Sequence, residues 1–314
     1  DLVNGGAKLH PRINEQAVVR SSNHPGINPG DTILNIDGTD AGAWFEDKMK
    51  SFSASSDGYR FVLAADALKE VYGSRTLTLM DTEGVERTDT FLPEPYESME
   101  KVAWGGSLRE NGWLTDLDAP GVYYVNMAAS VTPDETPVVE QMTDIKEATG
   151  VVLDMRDYPN LHIYEFARNF HSALFTAPIF TFPTWTGSEN FEWTEEIWDF
   201  TPAEQVYTGP IALLVSNKSV SAAECFAQML MGLENVTIVG EQSASTNGTI
   251  TDVMLPSNFQ ITFTGMLLLS PDGSPFHGIG VVPDEEVVPS ADDFAAGLDP
   301  ELNRAIEVLF SKAQ

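Results

Sequence analysis

Short apolar stretches separated by turn residues predict a β-rich module in roughly the first ninety-five positions. The turns are marked by Pro29-Gly30 and by Asp37-Gly38. Residues 59–73 place apolar side chains at helical spacing and end on a glycine, which predicts an amphipathic helix. The predicted strands, rich in β-branched residues, are "QAVVR", "TILNIDG" and "RTLTLMD".

From about residue 102 the pattern changes to strands that alternate with helices. The predicted strands are "GVYYVNM", "VVLDMR", "IALLVS" and "VTIVG". The predicted helices are "TPVVEQMTDIKEATG", "LHIYEFARNFHSALF", "SAAECFAQMLMGL" and "PELNRAIEVLFSKA". Such alternation indicates βαβ units and a largely parallel sheet, hence an α/β fold class. Residues 179–200, rich in aromatics, interrupt it and predict a β-hairpin or a flap beside the substrate, and "LPEPYESMEK" between the two regions is a predicted linker.

Composition restricts the partners that this chain can have. Its 314 residues favour two domains or one large one. Lys plus Arg number 17 and Asp plus Glu number 47, a formal net charge of −30. A surface so acidic repels phosphate backbones and anionic lipids, so we expect neither nucleic acid nor membrane as a partner, and no apolar run approaches the ~18 residues that span a bilayer. The acids are dispersed, which favours a role in solubility over recognition of a cationic partner.

The sequence gives no sign of a metal or cofactor. Its five histidines form no pair with ligand spacing, and neither a P-loop nor a dinucleotide-binding fingerprint is present, so we expect no metal and no cofactor. Cys225 is the sole cysteine, which rules out an intrachain disulfide and suggests a small buried side chain, with a cysteine nucleophile as the minor alternative. The chain begins at Asp1 without a methionine, so we expect a processed product whose targeting segment has been removed.

The candidate chemistry centres on Ser221, in "NKSVSAAECFAQML". The serine follows an apolar strand and precedes a helix, and functional groups of parallel sheets gather at such strand ends. The amides of Ala222 and Ala223 would lie at the helix N-terminus, where they favour developing negative charge. The alternative is structural, because Ser221 and Glu224 also match a capping box.

Four segments, in order, resemble the carboxy-terminal processing (tail-specific) serine proteases and their tricorn-core and retinoid-binding-repeat relatives. These are "INPGDTILNIDG", "GVVLDMRDYPN", "SVSAAE" and "GIGVVPDEEV". The resemblance runs from about residue 15 to residue 312 and places the nucleophile on Ser221. It implies a PDZ-like domain over residues 1–97 and a crotonase-like α/β catalytic core with a largely parallel sheet over residues 98–314.

The chain departs from that family at its catalytic positions. The family's lysine base falls on Thr246 or Asn247, neither of which titrates usefully near neutral pH. The histidine of the tricorn-like relatives falls on Tyr123 or Tyr124. The paired glycines that help to hold the oxyanion are replaced by Asn160 and the leucine after it. A lysine-free subgroup of secreted bacterial relatives shares this pattern, which implies a periplasmic or secreted location.

Several side chains could replace the missing base. His277 is the first candidate, because it precedes the segment that lies beside the active centre in tricorn-like relatives. His162 is the second, close to the presumed oxyanion loop, and Tyr124 is the third, although a phenol is a reluctant base. Asp157 or Glu224 could orient a base, and Glu224 is also the cap partner.

The predicted oxyanion donors are the backbone amides of Ala222 and Asn160. Arg156 could bind a substrate carboxylate, although it could equally form an internal ion pair. These assignments predict a serine peptidase that is acylated on Ser221 and acts on unstructured peptides or protein tails. The alternatives are a weak or inactive peptide-binding protein on the same scaffold and a serine esterase, and the oligomeric state stays open.

Overall fold

The computed structural model describes residues 8–13, 16–22, 24–69, 73–92, 109–128 and 136–312. The first region is an antiparallel sheet in the order β1-β2-β3-β5-β6, with β4 paired to β3. Its strands are β1 (Lys8–Ile13), β2 (Gln16–Ser21), β3 (Thr32–Ile36), β4 (Thr39–Asp40), β5 (Arg75–Met80) and β6 (Glu86–Phe91), and its helices are α1 (Ala41–Met49) and α2 (Asp57–Lys69). Four predicted elements, the strands β2, β3 and β5 and the helix α2, are confirmed.

Helix α1 was not predicted, although its sequence carried a signal. Its buried residues are Ala41, Phe45 and Met49, four positions apart on one face. The Asp40 side chain accepts a hydrogen bond from the Ala43 amide at 3.0 Å and caps the helix. Only nine residues long, the helix owes its stability to packing on the sheet rather than to its own propensity.

The second region is a mixed α/β unit. Its strands are β7 (Gly112–Leu114), β8 (Ala119–Asn126), β9 (Gly150–Asp154), β10 (Phe175–Thr176), β11 (Ile179–Trp185), β12 (Phe191–Glu196), β13 (Asp199–Phe200), β14 (Ile211–Val215), β15 (Val236–Gly240), β16 (Ile250–Leu255), β17 (Phe259–Thr264), β18 (Leu267–Leu269) and β19 (Glu285–Glu286). Its helices are α3 (Thr136–Glu147), α4 (Ile163–Ala167), α5 (Ala222–Leu230), α6 (Ala291–Ala295) and α7 (Pro300–Lys312).

The main sheet of this unit has the order β19-β15-β14-β9-β8-β7. All its neighbouring pairs are parallel except β7 with β8, which confirms the predicted α/β class and largely parallel sheet. Strands β9, β14 and β15 are buried along their whole length, as expected for strands covered by helices on both faces.

The two faces of this sheet carry different helices, and this separation determines which side chains can reach Ser221. On β8, Tyr123 and Val125 belong to the hydrophobic cluster that contains the side chains of α5. Val122 and Tyr124 belong to the cluster that contains the side chains of α7. Since successive side chains of a strand point to opposite faces, neighbouring tyrosines therefore lie in different environments.

Two antiparallel hairpins project from the unit. The predicted hairpin is confirmed as β11–β12, and β11 also pairs with β18. A second hairpin, β16–β17, was not predicted, and nearly all of its residues are exposed. The helix predicted over residues 161–175 is wrong in length, because α4 ends at Ala167. Just beyond this end, the Asn169 side-chain amide donates hydrogen bonds to the backbone carbonyls of Glu165 and Phe166, at 3.2 and 3.0 Å. These carbonyls would otherwise accept hydrogen bonds from backbone amides if the helix continued.

The predicted linker lies mostly outside the described residues, and so does the predicted domain boundary at residues 97 and 98. The PDZ-like assignment of the first region therefore stays a prediction. Among the helices that the structure describes, none is both long enough and apolar enough to cross a bilayer.

Candidate active site

Ser221 lies between β14 and α5, where it is the N-cap residue of the helix. Its backbone has φ 56° and ψ −111°, a conformation that side-chain-bearing residues rarely adopt. The Ser221 amide donates to the Thr246 carbonyl at 3.3 Å and to Glu224 Oε2 at 3.2 Å. The strained backbone is therefore held by acceptors from the helix itself and from the loop after β15.

Glu224 is fully buried and organises the polar groups around Ser221. Its carboxyl oxygens accept hydrogen bonds from the Ser243 hydroxyl, from the Ser245 amide at 2.7 Å and from the Ser221 amide. Ser221 and Glu224 have the geometry of a capping box, as predicted, although only the Glu224 half forms a full hydrogen bond. Burial raises the pKa of Glu224 to about 8, against the lowering effect of those hydrogen bonds.

This raised pKa predicts a pH-dependent stability that Glu224→Gln removes. Between about pH 4.5 and about pH 8 the folded protein keeps the Glu224 proton, whereas the unfolded chain releases it. The folded state thus binds more protons, so wild-type stability falls as pH rises through this window, by on the order of 4 kcal/mol. Urea unfolding of both proteins at several pH values measures the difference. If the free energy of unfolding changed with pH in the same way for the wild type and for Glu224→Gln, the raised pKa of Glu224 would be contradicted.

A cleft of about 420 Å³ opens in front of the serine, and we call it the Ser221 cleft. Its lining side chains are mostly apolar or aromatic and come from the β9–α4 segment, from β11, from α5 and from the loop before β16. They are Leu161, His162, Ile163, Tyr164, Phe180, Ser221, Ala222, Cys225, Asn247, Gly248 and Thr249. The serine therefore faces an open, largely apolar space of the size expected for a ligand site.

The two predicted oxyanion donors have different outcomes. Ala222 lines the Ser221 cleft as the first residue of α5, and the amide of a first helical residue has no partner within its own helix. The Asn160 amide instead donates to the Met127 carbonyl at 2.9 Å, so it is not free to hold an oxyanion. Leu161, the next residue, lines the cleft.

The positions matched to the family lysine both contact α5 without supplying a base. Thr246 contributes its backbone carbonyl to the Ser221 amide. The Asn247 side-chain amide donates to the Cys225 sulfur at 2.9 Å. Burial raises the pKa of Cys225 to about 11, so the thiol stays protonated at neutral pH and is a poor nucleophile.

The histidines are placed in the opposite order from their predicted rank. His162, the second candidate, precedes α4 and lines the Ser221 cleft. His277, the first candidate, is half-buried in the turn before Gly278, whose amide donates to the Ser245 carbonyl. His277 is not among the described residues that line the Ser221 cleft.

Tyr124 is not a possible base for Ser221. It lies on the α7 face of the sheet, opposite α5, and its hydroxyl donates to Asp154 Oδ2 at 2.7 Å. Burial and the Asp154 carboxylate raise the pKa of Tyr124 far above its usual value, which holds the phenol in its protonated form. The prediction of Tyr124 as the third candidate base is therefore wrong, because the side chain lies on the other face of the sheet and its hydroxyl stays protonated.

Arg156 does not bind a substrate carboxylate, because it is fully buried in an ion network. Its guanidinium donates to Asp154 at 3.0 and 2.6 Å and to Asp299 at 2.7 and 2.8 Å. Arg20, on β2, donates to Glu301 at 2.6 and 2.8 Å. We call these five residues the buried ion network, and it joins the first sheet to α7 and to the end of β9.

The loop before Ser221 is tied to the loop after β9. The Ser216 and Ser219 hydroxyls donate to the backbone carbonyls of residues 156 and 155, each at 2.8 Å. Lys218 pairs with Asp157 at 2.7 Å, so Asp157 contacts a cation rather than orienting a base. Helix α2 packs on the same loop, since a β-carbon at Gly58 would overlap the Asn217 side chain. The loop before Ser221 is thus fixed from two sides.

Sequence reasoning missed several residues that build the site. Ser243 and Ser245, which bind Glu224, follow β15 in a loop without any distinctive spacing. Tyr164 and Phe180 line the cleft from elements that looked like ordinary helix and hairpin. In the part of the chain that the structure describes, no three His, Cys, Asp or Glu side chains are grouped so as to hold a metal ion.

This chain is similar in sequence or in structure to several known peptidases. The "Carboxy-terminal-processing protease" of Bartonella bacilliformis is 35% identical over 75 residues, which are 24% of this chain and only 17% of that protein. Mature CPAF complexed with lactacystin superposes with a TM-score of 0.74 at 14% identity, covering 98% of this chain and 83% of that one. A putative peptidase from Parabacteroides merdae gives 0.52 at 16% identity, over 90% and 78% of the chains. At such identities the two structures show a shared fold alone.

The match to a family profile covers more than half of the chain. Residues 122–287, from β8 to just beyond β19, match Peptidase family S41, and this range contains Ser221, the whole Ser221 cleft and the carboxylate of Glu224. This chain therefore belongs to Peptidase family S41.

Proposed function

We propose that this protein hydrolyses peptide bonds through acylation of Ser221, acting on unstructured peptides or protein tails. The observation that carries the proposal is the placement of Ser221: a strained N-cap residue facing an open cleft, with the Ala222 amide beside it. Family membership supports a peptidase. A helix N-terminus at the nucleophile favours the negative charge that develops in acyl transfer.

The proposed reaction proceeds in two steps. The Ser221 oxygen attacks the peptide carbonyl carbon while His162 accepts the hydroxyl proton, and the oxyanion is held by the backbone amides of Ala222 and Leu161. The carbon–nitrogen bond then breaks, and the amine leaves with the proton that His162 returns. Water attacks the acyl-enzyme in the same way, which releases the acid and restores Ser221.

Covalent labelling tests the proposal directly. A fluorophosphonate probe is expected to modify the wild-type protein once, on Ser221, and to leave Ser221→Ala unlabelled. Intact-mass measurement and peptide mapping identify the modified residue. A wild-type protein that remains unmodified over a broad pH range would contradict the peptidase assignment.

His162→Gln tests the base. We expect kcat to fall by a factor of about 10² to 10⁴, because the variant has no imidazole to accept the proton. His277→Gln is the matched control and should leave kcat little changed. The reverse result would restore His277 as the base.

One observation favours a second candidate, a peptide-binding protein with little or no turnover. At the position of the family lysine, Asn247 is engaged with Cys225 and supplies no base. This alternative expects peptide binding that Ser221→Ala leaves unchanged, with no hydrolysis by the wild type. A serine esterase is distinguished by comparing matched ester and amide substrates.

We also propose an extracytoplasmic location, which suits an acidic surface and a single cysteine that is buried.

A further inference from the structure

The hairpin β16–β17 has one apolar side, and that side is exposed to solvent. Directly opposite residues of an antiparallel strand pair point to the same side. On one side of this hairpin the opposite pairs are Thr251 with Phe263, Val253 with Ile261 and Leu255 with Phe259. The five apolar residues among them are between 40% and 63% exposed. We call these five the apolar hairpin face: Val253, Leu255, Phe259, Ile261 and Phe263.

The other side of the same hairpin is mostly polar. Its opposite pairs are Ile250 with Thr264, Asp252 with Thr262 and Met254 with Gln260. An antiparallel sheet with one apolar and one polar side is the kind that buries its apolar side. Two strands alone are only marginally stable in water, and among the described strands β16 and β17 pair only with each other. The apolar hairpin face therefore has the composition of a surface that a further chain covers.

The apolar hairpin face continues the wall of the Ser221 cleft. Gly248 and Thr249, which precede β16, line that cleft. The Gly265 amide donates to the Thr249 carbonyl at 3.1 Å, so the pairing of the two strands begins at the cleft itself. From Thr249 onward, alternate residues lie on the side of the apolar hairpin face. A polypeptide that occupies the cleft can therefore extend directly onto this face.

The size of this face and the charge of the protein favour a transient partner over a second copy of the chain. Six residues in each of two strands give a face of about 20 Å by about 10 Å, on the order of 200 Å². A stable protein–protein interface buries about 800 Å² of each partner, whereas a single extended chain lying along the hairpin needs no more than this face. Two copies would also each bring a net charge of −30 and repel each other. An extended segment that is apolar and not acidic avoids both obstacles.

We propose that the apolar hairpin face binds an extended, apolar segment of the substrate polypeptide, several residues away from the bond that Ser221 attacks. This inference rests on the proposed function, because it treats the occupant as substrate. The face spans about 20 Å, so the segment is about six residues long and lies outside a short peptide held in the cleft alone. The protein thereby prefers unstructured chains that expose alternate apolar residues over polar ones.

Peptides of different length test the proposal on the wild-type protein. The probes are a quenched fluorescent hexapeptide that the protein cleaves and the same hexapeptide extended by eight residues at either end, with alternating valine and lysine. The matched probes have serine in place of valine. We expect one of the two valine extensions to raise kcat/KM at least tenfold over the hexapeptide, and its serine counterpart to have little effect, because the added binding energy comes from apolar contact with the hairpin. Equal kcat/KM values for all peptides would overturn the proposal.

Two double variants separate this face from the rest of the hairpin. Phe259→Thr combined with Ile261→Thr is expected to cancel the effect of the valine extension and to leave cleavage of the hexapeptide unchanged. Ile250→Thr combined with Met254→Thr is the matched control, because it removes two exposed apolar side chains from the other side of the same hairpin. An equal loss in this control would overturn the proposal. If the first variant does not fold, Val253→Thr, which keeps the shape of the side chain, is expected to reduce the effect of the extension about threefold.

Binding measurements distinguish this inference from the proposed function. In a Ser221→Ala background, fluorescence anisotropy is expected to show that the valine-extended peptide binds about tenfold more weakly when Phe259 and Ile261 are both replaced by threonine. If the peptides bind in this way but the wild type cleaves none of them, the proposed function is overturned and the face remains a peptide-binding surface. If the peptides are cleaved without any dependence on the extension, the role of the face is wrong and the peptidase assignment stands.

Sedimentation velocity tests the competing occupant, a second copy of the chain. We expect the wild type and the Phe259→Thr, Ile261→Thr variant to have the same sedimentation coefficient. A wild-type dimer that this variant converts to a monomer would show that a second copy covers the apolar hairpin face, and would overturn the proposal.

Discussion

Ser221→Ala is expected to lower kcat for a quenched fluorescent peptide by a factor on the order of 10⁶. In the proposed mechanism the substitution removes the attacking oxygen, and no neighbouring nucleophile replaces it, since the Cys225 thiol is buried and protonated. Peptide affinity should stay close to that of the wild type, because the cleft walls are unchanged. Steady-state kinetics and fluorescence anisotropy with the same peptide measure the two quantities.

The matched control for this variant is Ser290→Ala. Ser290 is also an N-cap serine in a capping box, formed with Asp293 at the start of α6. Both substitutions replace an N-cap serine, but they remove different things. Ser290→Ala loses the hydrogen bond from the Asp293 amide, at a cost of about 1 kcal/mol of stability, whereas Ser221→Ala removes a hydroxyl from the cleft. If Ser290→Ala lost activity to the same degree, the effect of Ser221→Ala would have to be assigned to helix stability rather than to nucleophilic attack.

The order of the main elements was predictable because strands buried on both sides leave a plain signal in the sequence. β9 and β14 are apolar runs of five residues that contain β-branched side chains and are followed by helices, and their shortness and composition favour buried strands over helices. The position of Ser221 followed from this order, because a serine between a parallel strand and a helix must lie at the sheet edge where ligands bind. Hairpin β16–β17 left no comparable signal, since its side chains pack against no buried core.

The roles of side chains near Ser221 were harder to predict because they depend on partners far away in the sequence. Arg156 follows a buried strand and could have pointed into the cleft, but Asp299, 143 positions later, binds it inside the protein. The identity of the Asn160 amide acceptor, Met127, was equally hidden. For Tyr124 the side of the sheet was decisive, and a one-residue shift along a strand reverses that side.

Arg156→Met is expected to reduce the free energy of unfolding by about 3 to 5 kcal/mol. The buried ion network pairs two arginines with three carboxylates, so removing Arg156 leaves the buried Asp154 and the partly buried Asp299 without their closest cation. Burial acts to raise the pKa of Asp299, but the Arg156 guanidinium outweighs it and lowers the value to about 2. Above that pH the network contains a charged carboxylate that must be compensated, which is why the loss exceeds that of a surface pair.

Arg304→Met is the matched control, because Arg304 lies on α7 and also contacts two carboxylates, Glu285 at 3.0 Å and Glu307 at 2.8 Å. These contacts are exposed to solvent, so this variant should be close to the wild type in stability. Urea unfolding followed by tryptophan fluorescence compares the two. Equal losses would show that the network is no more important than a surface ion pair. A large loss for Arg156→Met alone would show that the buried ion network, which joins the first sheet, α7 and the end of β9, contributes far more to the free energy of unfolding than a surface ion pair does.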